Sequence, residues 1–425
     1  MSEVAEVKAL SLWDSRGRPT VEVKVVLGDG SIGRAMAPAG ASTGSAEALD
    51  LRDGGSRFRG YGVSRAVEGV NSIVGPALAG MNGYDQDALD SALIGLDGTL
   101  QRSYLGGNAM IATSMALAHA ASASRRVPLW HYLLEDRSLV FPTPEVQIFG
   151  GGAHAEGHMD LQDFMVVPYG ANSFTEAMEW VAEVYRAAGD YMTQLGRRQG
   201  VADEGGYWPA FDSNEQAIEA LATAVENAGF SICDQIGLSL DIAANQIYRE
   251  GRYHLKRESR GLSPDDWFKT IKGWLDSYPI IMIEDPFMEA DLERHAALLA
   301  SLPDGVQLVG DDLLVTQVPK MKQAFAAKAC NTLLCKPNQV GTLTEARQAF
   351  IAATSMGWSS VMSARSGETE DTTIVDLALG WGVPQFKVGS FARSERMAKW
   401  NQMIRIESEA SVSRYIGGRP WGRIQ

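Results

Sequence analysis

Cysteine is scarce in this chain: three among 425 residues, at Cys233, Cys330 and Cys335, with no CxxC pair. That excludes a disulfide framework and a zinc knuckle, and it leaves free buried thiols as the expected state. Basic residues are also short. The 38 Lys and Arg stand against 52 Asp and Glu, for a formal net charge of -14 and a pI of about 5.0. No cationic run is long enough to track a phosphate backbone, so nucleic acid and anionic membrane are not expected as partners. Long apolar runs are missing as well. No stretch reaches the roughly 18 residues of a membrane-spanning helix. The opening MSEVAEVKALSLWDSRG has neither the apolar core nor the small-residue cleavage site of a signal peptide. A soluble, cytoplasmic protein is expected. Low-complexity tracts are absent too, as are short-period repeats beyond a strand–helix rhythm.

What is present is ample apolar material. Hydrophobic residues make up 45% of the chain, and 44 Gly are scattered through it, enough for a large core in two unequal domains. TVEVKVVL alternates as a half-buried strand does, followed by the turn Gly28-Asp29-Gly30 and SIGRAMAP; together they predict a small antiparallel meander. Helical patterns follow in SRAVEGVNSIVGPAL, in DQDALDSALIGLDG with Asp85 at its start, and in NAMIATSMALAHAASASR. The last is apolar nearly all round, so its Met and Ala stripe predicts a buried packing helix and not a cofactor surface. The helical rhythm stops near Phe141-Pro-Thr-Pro, and the expected domains are 1–138, an α+β cap, and 139–425.

Beyond that point short apolar runs alternate with amphipathic helices. The runs are DFMVVP, GLSLD, PIIMIED, VQLVGDD, NTLLCKPN, SSVMSAR and QFKVG; the helices include DWFKTIKGWLDSY, TEARQAFIAATSMG and TTIVDLALGWG. Continuous apolar strands between helices predict a parallel sheet covered by helices. Asp241, Glu284, Asp311, Lys336, Arg365 and Lys387 each fall at or just after the C-terminal end of a run. The reading is an α/β fold, a TIM-type (β/α)8 barrel, in which all such ends converge on one mouth.

Three carboxylates, Asp241, Glu284 and Asp311, on consecutive strand ends would repel one another, and burial would raise their pKa values. A hard cation relieves that, and oxygen-only ligands favour Mg²⁺. The plainer alternative is that each acid caps the following helix. Lys336 and Lys387 point to the same mouth; a lysine near divalent cations has its pKa lowered and can act as a base. VADEGGYWP adds Glu204, and GGAHAEGHMDLQDFM adds His154, Gln162 and Asp163. His154 and His158 have helical metal-pair spacing but lack the HExxH glutamate, so zinc is not expected there, and His158 reads as a surface or supporting histidine. A metal held by carboxylates, a cationic base and an opposing acid describe proton abstraction next to a carboxylate, with fixed cations stabilising the charge that develops.

SRGRPTVEV, GASTGSAEALDLRDG, LDGT, DEGGYWP, IEDP, LVGDDLLVT, KPNQVGTLTEA, RSGETEDT and ARSERMAKWNQMIRIE occur in that order, from Ser15 to Glu407, and they resemble the signatures of the enolase (phosphopyruvate hydratase) family. The resemblance implies a barrel with irregular first strands under a small N-terminal cap, a homodimer or an octamer of dimers, and two Mg²⁺ ions, the second completed by a small phosphorylated or phosphono carboxylate substrate. It implies Lys336 as the base at C2, Glu204 as the acid for the C3 hydroxyl, and Asp241, Glu284 and Asp311 as ligands of the first Mg²⁺. Ser42 matches a mobile-loop residue at the second Mg²⁺, Arg365 and Ser366 match phosphate contacts, and Lys387 matches a carboxylate contact. Gln162 and His154 match further pocket positions.

The chain also departs from the family pattern. Ala364 stands where the family has His, and Asp163 where it has Glu; Ala39, Gly150 and Ala153 replace Ser, Asn and Ser in PSGASTG and NGGSH. Two substrate expectations follow. One is 2-phosphoglycerate converted to phosphoenolpyruvate. The other is a phosphono or phosphinate analogue with extra bulk, accepted by the space left at Ala364, Ala39, Gly150 and Ala153, as in carboxyphosphonoenolpyruvate synthase-like enzymes of phosphinate antibiotic pathways. A catalytically silent enolase-like binding protein is disfavoured, because it has no need of so many buried charges.

Overall fold

The computed structural model describes residues 2–157, 159–410 and 414–417; His158 lies outside the described residues. The predicted meander is present with one more strand before it: β1 (Val4–Trp13), β2 (Pro19–Leu27) and β3 (Ile32–Met36), antiparallel in that order. On β2 the alternation is clean, with Val21, Val23, Val25 and Leu27 all buried. β1 has a mostly exposed, irregular pattern, because it is an edge strand with a register shift near Val4, and so its sequence carries no period-2 signal.

The first helix labelled here, α1 (Gln86–Asp97), starts at Asp85, whose carboxylate accepts from the Ala88 N–H, as the N-cap pattern requires. α2 (Gly107–Ser124) is the predicted all-round apolar helix and is buried on nearly every side. It lies so close to β3 that a Cβ on Gly33 would come within 2.0 Å of the Ala116 carbonyl oxygen, a backbone approach that only glycine permits.

The second domain is a closed barrel of eight strands: β4 (Thr143–Gly150), β5 (Asp163–Val167), β6 (Gly237–Asp241), β7 (Ile280–Glu284), β8 (Gln307–Gly310), β9 (Thr332–Cys335), β10 (Ser359–Ser363) and β11 (Gln385–Ser390). Pairing of β11 with β4 closes it. The barrel is not a uniform (β/α)8. β5 runs antiparallel to both β4 and β6, since among its described residues the 151–162 connection holds a short 3-10 turn and no crossover helix. A return without a crossover must be antiparallel.

Around the barrel lie α3 (Phe174–Gln194), α4 (Asn214–Asn227), α5 (Pro264–Ser277), α6 (Leu292–Ser301), α7 (Val318–Ala327), α8 (Leu343–Ser355), α9 (Thr373–Trp381) and α10 (Ser394–Glu409). Their N-caps decide the plainer reading of the strand-end acids. Ser263 and Asp291 cap α5 and α6, and Gln317 precedes α7, so Asp241, Glu284 and Asp311 are free of that duty. One core cluster fills the space between strands and helices, while Val167, Met282, Val309, Leu334 and Val361 form a separate apolar plug inside the barrel. Among the described residues no helix is long and apolar enough to cross a membrane.

Candidate active site

Strand register brings the acids together. Asp241 pairs with Glu284 on one side and with Asp163 on the other, so three carboxylates from three adjacent strands share one rim. All three are buried, as are Asp311, Lys336 and Lys387. Lys387 reaches across the barrel to Glu284 at 2.7 Å, Asp241 at 3.0 Å and Asp163 at 3.5 Å. Lys336 pairs with Asp311 at 2.5 Å, and Gln162 donates to Asp241 at 2.8 Å. Asp241 also accepts from the Ala243 N–H at 3.0 Å.

The charges act on one another as burial and proximity dictate. Burial, then Asp241, pushes the Glu284 carboxyl well above its ordinary range. Asp311 is held low despite burial, because Lys336 sits beside it. Burial works against the Lys387 ammonium, yet Asp241 and Glu284 outweigh it and hold that group well above the usual lysine value; Asp311 does the same, more weakly, for Lys336. The protein's own groups therefore raise both lysines, and the lowering expected from the sequence needs cation charge on the acids. Glu284 Oε1 is buried without a hydrogen-bond partner. An oxygen-only set with an orphaned buried carboxylate oxygen fits a hard divalent cation.

A neighbouring cluster, Asp285, Asp311 and Asp312, has ligand atoms within 4.8 Å of one another. Asp285 is engaged by the backbone N–H groups of Asp311 and Asp312 at 3.1 and 2.6 Å, so it serves as a brace for the β8 end. Asp312, pushed up to about 7 by burial and by Asp311, accepts from Asn245 at 2.9 Å.

Loops supply the opposite wall. His154, from the 151–162 connection, lies 3.3 Å from Asp163 and 3.6 Å from Glu204, and these three form a second compact group. Asp163 and Glu204 are linked by Gln147, whose amide donates to Asp163 and, at 3.4 Å, to Glu204, while its oxygen accepts from the Gly206 N–H at 2.9 Å. Burial raises the Glu204 pKa, whereas His154 and Lys387 hold Asp163 below its ordinary value against burial. One carboxyl of the pair is thus disposed to carry a proton and the other to be ionised.

The loop from the first domain is tied to the barrel at this mouth. Ala39 and Gly367 exchange backbone hydrogen bonds, and the Ser366 hydroxyl accepts from the Ala41 N–H at 2.6 Å. Arg365 donates to the Ser42 carbonyl at 3.0 Å, to Glu47 at 2.9 Å and to Asn338 at 3.0 Å.

These residues enclose a cavity of about 20 Å³ lined by Ser42, His154, Gln162, Asp163, Glu204, Asp241, Lys336, Ala364, Arg365, Ser366 and Lys387; Glu284 and Asp311 reach it through the lysines they bind. A larger cavity of about 660 Å³ lies between the 152–160 segment and residues 246–261, but most of its charged side chains are exposed, and the buried ionisable groups are concentrated in the smaller one. Of the four Ala and Gly replacements, Ala364 alone lines the small cavity. Ala39 sits in its bridge with Gly367, Gly150 faces Ala202 and Gln147, and Ala153 is exposed with its N–H on Gln246. The expectation that all four open space at the substrate is corrected to Ala364.

Several contributors are not singled out by the sequence: Gln147, Glu145, Glu47, Asn338, Asp285 and Gln339, whose amide donates to Asp311 at 2.8 Å. For the first two a signal existed, since Thr143, Glu145 and Gln147 alternate with Val146 and Ile148, the pattern of a strand with one polar face. Known families complete the picture. A model described as "Enolase, N-terminal domain" matches residues 4–133, and one described as "Enolase, C-terminal TIM barrel domain" matches residues 138–421. Two matches covering nearly the whole chain, on a barrel whose strand ends gather acids and lysines in this way, mean that the chain belongs to the enolase family and is an enolase-superfamily lyase.

Proposed function

We propose that the protein is a Mg²⁺-dependent lyase that removes the C2 proton of 2-phosphoglycerate, or of a close phosphono or phosphinate analogue, and expels the C3 hydroxyl. The observation that carries this reading is the meeting of Lys336 and Glu204 in the wall of one buried cavity, with carboxylates and cations between them. In this reading Lys336 takes the proton and Glu204, raised by burial, gives one to the leaving hydroxyl. Asp163, His154 and Gln147 hold Glu204 in place. Asp241, Glu284 and Asp311 would hold one Mg²⁺, and Ser42 would complete a second with the substrate. When bound, Mg²⁺ supplies positive charge against which the substrate carboxylate and the charge developing at C2 are stabilised. Arg365 and Ser366 take the phosphoryl oxygens, Lys387 takes the carboxylate, and Gln162 orients Asp241. The functional boundary between domains is taken at 138/139, and a cytoplasmic homodimer or octamer of dimers belongs to the same reading.

Ala364 supports a second substrate. As the one Ala or Gly replacement in the cavity wall, it leaves room near Arg365 for bulk at phosphorus, which favours a carboxyphosphonoenolpyruvate synthase-like role. Ultraviolet detection of phosphoenolpyruvate from 2-phosphoglycerate, run on wild type and on Ala364→His, separates the two. Rapid turnover by the wild type supports the common substrate. Slow turnover that rises in Ala364→His supports the bulkier one. No C2 proton exchange with deuterated solvent in either protein, with 2-phosphoglycerate or with a phosphono analogue, refutes proton abstraction by Lys336.

A further inference from the structure

Glu145 lies on the inner face of β4, and neither the acid–base pair nor the metal-binding oxygens include it. It is 1% exposed, rare for a carboxylate. One oxygen accepts from the Ser239 hydroxyl of β6 at 2.5 Å; the other, Oε2, is buried with no hydrogen-bond partner. Strand register sets Glu145 opposite Lys387 on β11, and side chains in register on neighbouring strands project to the same face of a sheet. The two groups therefore share the barrel interior.

Lys387 has four acids around it: Asp241, Glu284, Asp163 and Glu145. Asp241 and Glu284 belong to the oxygen set that fits a divalent cation. Asp163 is committed to His154 and Gln147. Glu145 is the remaining one. An ammonium that shares two carboxylates with a divalent cation repels that cation strongly in a medium of low polarity, unless a further negative charge stands behind it.

We propose that Glu145 is a positioning residue, an ionised buried counter-charge that lets the Lys387 ammonium and a divalent cation share Asp241 and Glu284. The proposal rests on the metal-dependent reading above. Burial outweighs the pull of Lys387 and holds the Glu145 carboxyl above its ordinary value, with Asp241 and Asp163 adding to the upward push. A cation on Asp241 removes part of that push, so ionisation of Glu145 and metal binding reinforce each other.

Calorimetric titration of the full chain with MgCl₂ tests this. Glu145→Gln keeps the shape and an acceptor for Ser239 but removes the charge; it is expected to weaken Mg²⁺ binding about tenfold, with Glu145→Asp close to wild type. In a Lys387→Met background, where no ammonium needs offsetting, Glu145→Gln is expected to change the affinity far less. Thermal melting without metal checks that each variant folds; should Glu145→Gln melt early, Glu145→Asp against Glu145→Ser carries the same comparison of charge. Equal affinity for wild type and Glu145→Gln overturns the proposal, as does a loss that persists undiminished beside Lys387→Met. Absence of Mg²⁺ binding to the wild type is a different result, which removes the metal-dependent reading itself.

Discussion

The two walls of the cavity are built differently. Asp241, Glu284, Asp311 and Lys336 stand on or next to the ends of strands, and Lys387, expected at such an end, stands inside β11 (Gln385–Ser390); ladder hydrogen bonds set their spacing. His154, Glu204, Ser42 and Arg365 come from connecting segments, and their places depend on side-chain bonds: Gln147 to Glu204, Ser366 to Ala41, Arg365 to Glu47. The first wall is placed by backbone geometry. The second is placed by tertiary contacts, which single substitutions can undo, so the two should fail in different ways.

The largest effect is expected on the strand wall. Lys336→Ala should slow exchange of the C2 proton of 2-phosphoglycerate with deuterated solvent by about 10³-fold or more, measured by proton NMR, with the melting temperature nearly unchanged. An unaltered exchange rate would falsify Lys336 as the base. On the opposite wall Gln147→Leu should reduce kcat by about tenfold to a hundredfold and shift the pH profile, because Asp163 and Glu204 lose the amide that links them. A variant that changes KM alone would place Gln147 outside the acid–base pair. Hydrogen exchange gives a milder contrast: amides of 151–157 and 39–45 should exchange much faster than those of β6 and β7, and saturating substrate analogue should narrow the gap. Equal protection in both walls would remove the distinction.

An effect independent of either wall lies away from the mouth. Asp376 of α9 is buried, and its pKa is pushed up to about 7 from an ordinary 3.8. Its contribution to stability is intact below pH 3.8 and is lost as pH rises through 7. Asp376→Asn keeps an acceptor for the Trp130 N–H and should stabilise the fold at pH 8 by up to about 4 kcal/mol, with the gain vanishing near pH 4. Differential scanning calorimetry at the two pH values is the check, and equal shifts at both would show that Asp376 does not titrate in this range.

Much of this was legible along the chain. Strand and helix periods marked seven of the eight barrel strands, and strand-end polarity marked the acids and lysines. The missed strand, β4, alternates Thr143, Glu145 and Gln147 with apolar neighbours and starts at a Pro-rich stop, so its polar face read as a boundary. β5 is visible as an apolar run, but its antiparallel direction is not, because an apolar run carries no sign of direction. Ala39, Gly150 and Ala153 are visible in their motifs but lie outside the cavity wall, since a motif gives order along the chain and not which way a side chain faces.

By itself the sequence determined the elements and the mouth: periodicity, caps and the place of charge within each strand–helix unit are local properties, encoded within a few residues of one another. Only the tertiary structure decided the partners. Lys387 meets Asp241 and Glu284 across the barrel, and it stands in register with Glu145 because closure of β11 on β4 joins segments more than two hundred residues apart. Those distances follow from strand number, direction and register around a ring, and no local pattern contains them.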